Sequence, residues 1–152
     1  EKDIERINGE LEQNQKSLTA ASLKLIQNSE RDTETIRKLD SLLADTTPEA
    51  KKIIQVIMSD FKQISRRTNW NEFELLFQKV HSSFYENLNE SFPNLTANER
   101  RLCAFLKLNM SNKDIANITF QSEEALKKAR LRLRQKLGID RDTNLVIYLQ
   151  NI

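Results

Sequence analysis

The stretch S-E-E-A-L-K-K-A-R-L-R-L-R-Q-K-L, Ser122–Leu137, decides how this 152-residue chain is read. Six of its residues are basic: Lys127, Lys128, Arg130, Arg132, Arg134 and Lys136. Its only acids, Glu123 and Glu124, fall in the first turn, where carboxylates suit the positive end of a helix dipole. Ser122 is a good N-cap, although Ala125 at N3 denies it a full capping box. Leu126, Ala129, Leu133 and Leu137 recur at spacings of three, four and four, which is one face of a helix. Gly138 follows as a stop. The spacing predicts an amphipathic helix with a narrow apolar stripe and a long basic face. Such a face alone fits a solvated surface, a membrane or a partner protein equally well.

The residues before it narrow the choice. Thr96-Ala97-Asn98-Glu99 is a capping box that opens a helix carrying Leu102, Cys103, Phe105, Leu106 and Leu108. Ser111 caps a short second helix, with Asp114 near the reciprocal capping position and Ile115, Ala116 and Ile118 facing inward. Three helices therefore follow one another, with a turn of a few residues between the second and third. That is the layout of a helix-turn-helix, whose last helix enters the major groove of DNA.

The run L-T-A-N-E-R-R-L-C-A-F-L-K-L-N-M-S-N-K-D-I-A-N-I-T-F-Q-S-E-E-A-L-K-K-A-R-L-R-L-R-Q-K-L-G-I, Leu95–Ile139, resembles the LuxR/GerE-type helix-turn-helix. Leu95, Thr96, Glu99, Ser111, Asn112, Lys113, Ile115, Ala116, Ser122, Lys127, Lys136, Leu137 and Gly138 match that pattern. The E-x-R-L-C-A run and the basic third helix are similar to the version in Bacteroidetes-type transcription regulators. There are departures. Asn109 stands where the family usually has Gly, and Asn tolerates the left-handed conformation. Thr119-Phe120-Gln121 replaces the usual turn, with Phe120 expected to supply a core contact. Ala125-Leu126 replaces Thr-Val, and Ala129 replaces a common His.

The resemblance implies an all-α chain ending in a four-helix DNA-binding unit at 94–152, the last helix lying within Thr143–Asn151. Lys127, Lys128 and Leu131 occupy the family's base-reading positions. Lysine can reach guanine O6 and N7, and leucine can touch a thymine methyl. Arg132, Arg134 and Lys136 are expected on phosphate, together with Ser111, Asn112 and Lys113 at the free N–H groups of the second helix. The partners implied are double-stranded DNA, a second copy of the chain and RNA polymerase.

Upstream, the sequence reads as a long helix at 1–45 and a helical linker at 46–93. Ile4, Ile7, Leu11, Asn14, Leu18, Ala21, Leu25, Asn28, Asp32, Thr35, Leu39 and Leu42 form a heptad seam with a polar middle. This fits a parallel, homodimeric coiled coil; a plain amphipathic helix packed on its own chain is the competing reading. Thr47 and Pro48 open a second helix, with Ile53, Ile54, Ile57, Phe61 and Ile64 on one stripe. Arg66–Asn69 is expected to break it. A third, aromatic helix, Trp70–Asn89, carries Phe73, Leu76, Phe77, Val80, Phe84, Tyr85 and Leu88 as core. Its W-x-x-F-x-x-x-F pattern also resembles the linker of the same regulators.

Charge is unevenly spread: −3 over 1–95, +6 over 96–139 and −1 over 140–152. The excess of positive charge sits where a polyanion is expected. The chain opens on Glu1 inside an apparent helix and so reads as a piece of a longer, signal-responsive protein. No apolar run spans a membrane; the single cysteine fits a reducing cytoplasm, where this piece is expected even if the longer protein is membrane-anchored. One cysteine excludes an internal disulfide and a cysteine-based zinc cluster.

No catalytic constellation, metal set, cofactor motif or small-molecule site emerges, and an enzyme is not expected. His81, the only histidine, is not followed by the acid expected of a kinase phosphoacceptor. Three other classes stay open. One is a sigma-factor region-four-like module, another a signalling adaptor whose basic face meets a protein or membrane, and the third a histidine-kinase dimerisation piece.

Overall fold

Little in the first half of the sequence can stop a helix, since the whole chain holds two glycines and two prolines. In the computed structural model, which describes residues 1–152, the chain is all-helical. Its helices are α1 (Lys2–Ser41), α2 (Pro48–Val80), α3 (Phe84–Ser91), α4 (Ala97–Lys107), α5 (Asn112–Thr119), α6 (Glu123–Leu137) and α7 (Leu145–Gln150). A single 3-10 turn, Leu43–Asp45, separates α1 from α2. Pro48 takes N1 of α2, and the Thr47 hydroxyl accepts from the Ala50 N–H at 3.2 Å.

α1 and α2 pair antiparallel as a hairpin. Lys24 meets Glu72 at 3.9 Å, and further toward the turn the Ser65 hydroxyl donates to the Asp32 carboxylate. Leu18 and Leu25 of the expected seam are therefore buried within their own chain, and α1 also packs on α5. The competing reading of α1 thus holds from Leu18 to Ser29, where its buried residues lie. Ile4, Ile7, Leu11 and Leu42 remain exposed.

The break expected at Arg66–Asn69 is absent, and α2 runs straight through it. Arginine is a good helix former, and no Gly or Pro interrupts the run. Asn69 donates back one turn to the Ser65 hydroxyl at 3.2 Å, while Ser65 and Trp70 are anchored in packed surroundings. The chain bends instead at His81-Ser82-Ser83, so the expected aromatic helix is divided between α2 and α3.

The buried face of α2 is Met58, Ser65, Trp70, Phe73 and Phe77. The expected stripe splits: Ile53 and Ile64, 62% and 65% exposed, point away with Ile57, while Ile54 and Phe61 are half-buried. Trp70 meets Phe105 of α4 edge-on at a ring separation of 5.4 Å, and Phe73 meets Phe105 at 5.5 Å. Such pairs add to simple area burial. One buried cluster runs from Leu18 and Leu25 through this aromatic joint to Leu149 of α7. The expected boundaries near residues 45 and 93 fall between helices, but the core continues across both.

α7 closes the back of α4. Asn144 caps it through the Ile147 N–H at 3.0 Å, and Lys107 of α4 donates to the Leu149 and Gln150 carbonyls at 3.3 and 3.0 Å. No helix is long and apolar enough to cross a membrane.

Candidate nucleic-acid interface

The three helices α4, α5 and α6 are set by their caps. Thr96 and Glu99 form a reciprocal capping box at the start of α4. Asn109 adopts the left-handed conformation, φ 58°, where the resembled family has Gly, and so turns the chain into α5. Ser111 caps α5 through the Asp114 N–H at 3.1 Å. Three residues, Phe120, Gln121 and Ser122, join α5 to α6, and Ser122 caps α6 through the Ala125 N–H at 3.1 Å.

Phe120 departs from expectation. It does not join the buried cluster; it takes the left-handed C-cap position of α5, φ 53°, beneath the Arg66 guanidinium at 5.5 Å. A bulky side chain in that region carries strain of order 1–3 kcal/mol. Arg66 also donates to the Thr119 carbonyl at 3.1 Å, placing a cation at the negative end of α5.

α6 is held by Leu126, Leu133 and Leu137, all buried, with Ala129 partly so; Ile115, Ile118, Leu102, Leu106 and Phe105 belong to the same core. Its opposite face is open. Lys127, Lys128, Arg132 and Gln135 are exposed, and Leu131 is 59% exposed. None of the chain's ion pairs involves Lys127, Lys128 or Arg132. The three expected base-reading side chains therefore stand together on one ridge, unpaired and uncovered.

The expected phosphate set divides. Ser111 and Lys113 are exposed at the start of α5, and Arg132 flanks the ridge. Asn112 is half-buried, its side-chain oxygen accepting from the Arg130 guanidinium. Two members are engaged elsewhere. Arg134 donates to the Asp140 and Thr143 carbonyls at 3.1 and 2.8 Å, fastening the loop after α6. Lys136 pairs with Glu99 at 2.9 Å and reaches the Asn94 carbonyl at 3.4 Å, fastening the end of α6 to the start of α4. Sequence reasoning assigned both cations by their charge alone. It missed Arg130, although its place four residues beyond Leu126 sets it at the edge of the buried face.

Two predictions follow from these fastenings. Arg134→Ala should cost about 1–3 kcal/mol in urea unfolding, because charge-assisted bonds to two loop carbonyls are lost. The salt slope of any DNA affinity should not change. Glu99 yields a pH prediction. Burial pushes its carboxyl up, but the Lys136 ammonium and the Thr96 N–H outweigh burial and hold it below the ordinary value. A depressed folded-state pKa stabilises at neutral pH, and that contribution is lost as pH falls through the carboxylate range. Glu99→Gln should therefore flatten part of the acid limb of a stability–pH curve; an unaltered limb would contradict the assignment.

Cys103 and His81 show no reactive setting. Burial pushes the Cys103 thiol up to about 12, which keeps it protonated. His81 caps the end of α2, its ring tilted against Phe77 at 5.0 Å; burial, then the charge of Lys107, lowers its pKa. No group of His, Cys, Asp or Glu is arranged to hold a metal. A cleft of about 370 Å³ lies beside α6, between α2, α4 and α5.

Compared with known proteins, the chain matches no family model, no curated protein and no solved structure.

Proposed function

We propose that this chain is the DNA-binding output part of a signal-responsive transcription regulator, reading duplex DNA with α6 in the major groove. One observation carries the reading: Lys127, Lys128 and Leu131 form an exposed, unpaired ridge on a helix whose other face is locked into a core. An α-helix fits the major groove, and its outward side chains then meet base edges. The lysines suit guanine O6 and N7, and Leu131 suits a thymine methyl. Lys113 and the Asn112 and Lys113 N–H groups are free to meet one phosphate row, beside the Ser111 hydroxyl that caps Asp114.

A lipid surface suits this ridge poorly. An interfacial helix needs several large apolar residues on its free face, and Leu131 is the one α6 offers. The sigma-factor-like reading keeps the same groove-reading chemistry but gives no role to the 33-residue α2 built into the core of the unit.

Two copies reading two half-sites one helical turn apart complete the proposal. Because Leu18 and Leu25 are occupied, pairing falls to the apolar residues left outside. Among these are Ile53, Val56, Ile57 and Ile64 on α2, and Ile4, Ile7 and Leu11 on α1. Ile53, Val56, Ile57 and Ile64 stand at the turn end of the hairpin and Ile4, Ile7 and Leu11 at its other end, each about half exposed or more; clustered exposed apolar side chains of this kind mark interaction surfaces. Light scattering after gel filtration should give twice the chain mass, and Ile57→Asp with Ile64→Asp should give the single mass with unchanged helicity. A double variant of parental mass would remove α2 from the interface.

The function itself is tested by selecting duplexes from a random library with the full chain, then measuring binding by anisotropy. An enriched motif, bound more tightly than unselected duplex, is the expected result.

A further inference from the structure

α6 places its cations on both sides of the ridge. Successive helical residues are about 100° apart, so Arg130 and Arg132 lie on opposite flanks of Leu131. On the Arg130 flank stands the start of α5, where Arg130 holds Asn112 and Lys113 is exposed. On the Arg132 flank lies the 370 Å³ cleft, which Arg132 lines together with Arg101 of α4 and Arg66 of α2.

These three arginines come from three helices, and no carboxylate pairs with any of them. All three are exposed. Two are pre-set. Arg101 lies over the Trp70 ring at 5.1 Å, and Arg66 over Phe120 at 5.5 Å while donating to the Thr119 carbonyl. Trp70, Leu102, Phe105 and Leu126 line the wall between them. A low-dielectric wall under like charges concentrates their field at the mouth. Glu99, the acid in the lining, is already neutralised by Lys136.

We propose that Arg66, Arg101 and Arg132 form a phosphate clamp for the strand opposite the one met by the start of α5. The inference rests on the groove-reading role of α6. A helix in a groove about 12 Å wide has a phosphate row on each side. The start of α5 serves one row, and the cleft sets three arginines on the other flank of α6. The exposed guanidinium groups suit a ligand that stays outside, such as a duplex backbone, rather than an enclosed small anion. The linker helix α2 thereby contributes directly to DNA affinity through Arg66. Motion of the α1–α2 hairpin relative to α6 then changes binding without touching the base-reading ridge.

The test compares the parent chain with Arg66→Gln/Arg101→Gln and with Arg66→Lys/Arg101→Lys, on a selected duplex and an unselected one, across a salt series. Each lost phosphate contact removes about 0.9 from the log–log salt slope. The Gln pair should lower the slope by about 1.8, weaken both duplexes by a similar factor and leave the selected-to-unselected ratio unchanged. The Lys pair should keep the parental slope. Parental slope in the Gln pair overturns the clamp while leaving groove reading by α6 intact. Binding of decanoate, lost in the Gln pair alongside an unaltered slope, overturns it in favour of a free organic anion. A parent chain with no affinity for either duplex overturns clamp and groove reading together.

Discussion

Phe105→Ala should lower the unfolding free energy by about 3–5 kcal/mol, the usual cost of removing a buried aromatic ring. The ring is 2% exposed and touches Trp70 and Phe73 of α2 while sitting on α4. It is thus the keystone between the hairpin and the helices that present α6. Against a typical stability of about 5–15 kcal/mol, such a loss leaves little reserve. The consequence is also qualitative. Because one buried cluster spans the hairpin and the C-terminal helices, the parent should unfold in one transition. Trp70, the sole tryptophan, reports the joint by fluorescence, and circular dichroism reports all helices. The two curves should coincide in the parent and shift together in the variant. Separate transitions in the parent would show that the joint does not couple the two halves.

Lys127→Ala with Lys128→Ala should abolish discrimination between a selected duplex and a random one. Each good base contact is worth about 1–3 kcal/mol, so each lysine accounts for roughly 5- to 150-fold of preference. Both side chains are exposed and unpaired, so their loss leaves helix content, stability and mass unchanged. Arg132, Lys113 and the start of α5 remain, so weaker, sequence-blind and salt-sensitive binding should persist. Discrimination that survives in the double variant places base reading elsewhere.

The C-terminal helices were legible because their signals are local. Thr96, Ser111, Ser122 and Gly138 mark ends by hydrogen bonding and backbone conformation that a few residues decide. The stripe Leu126, Leu133, Leu137 named the buried face of α6, and what lay opposite it followed. Even Asn109 in the left-handed region was readable, since few other residues go there cheaply.

The long helices were less legible because their faces are chosen by distant partners. The heptad spacing of α1 is as good for a neighbouring α2 as for a second copy, and spacing does not tell the two apart. The isoleucine stripe of α2 was legible as a stripe but not its partner; the aromatic stripe took the core because larger rings bury more surface. Arg66–Asn69 is weak helix sequence at its Thr68-Asn69 end, and packing of Ser65 and Trp70 on either side overrides it. Within the site, charge alone could not separate Arg134 and Lys136, turned to carbonyls and to Glu99, from Arg132, which is free. That distinction depends on a loop 6 and 9 residues beyond Arg134 and on groups 37 and 42 residues before Lys136, which the periodicity of α6 does not encode.

The most direct measurement is equilibrium anisotropy of the full chain on duplexes enriched from a random library, beside unselected duplex and the Lys127/Lys128 double variant. Expected is tighter binding of the enriched motif by the parent, with that margin gone in the variant and both affinities falling steeply with salt. No enrichment, or a parent that binds every duplex no better than the double variant does, would show that α6 does not read DNA.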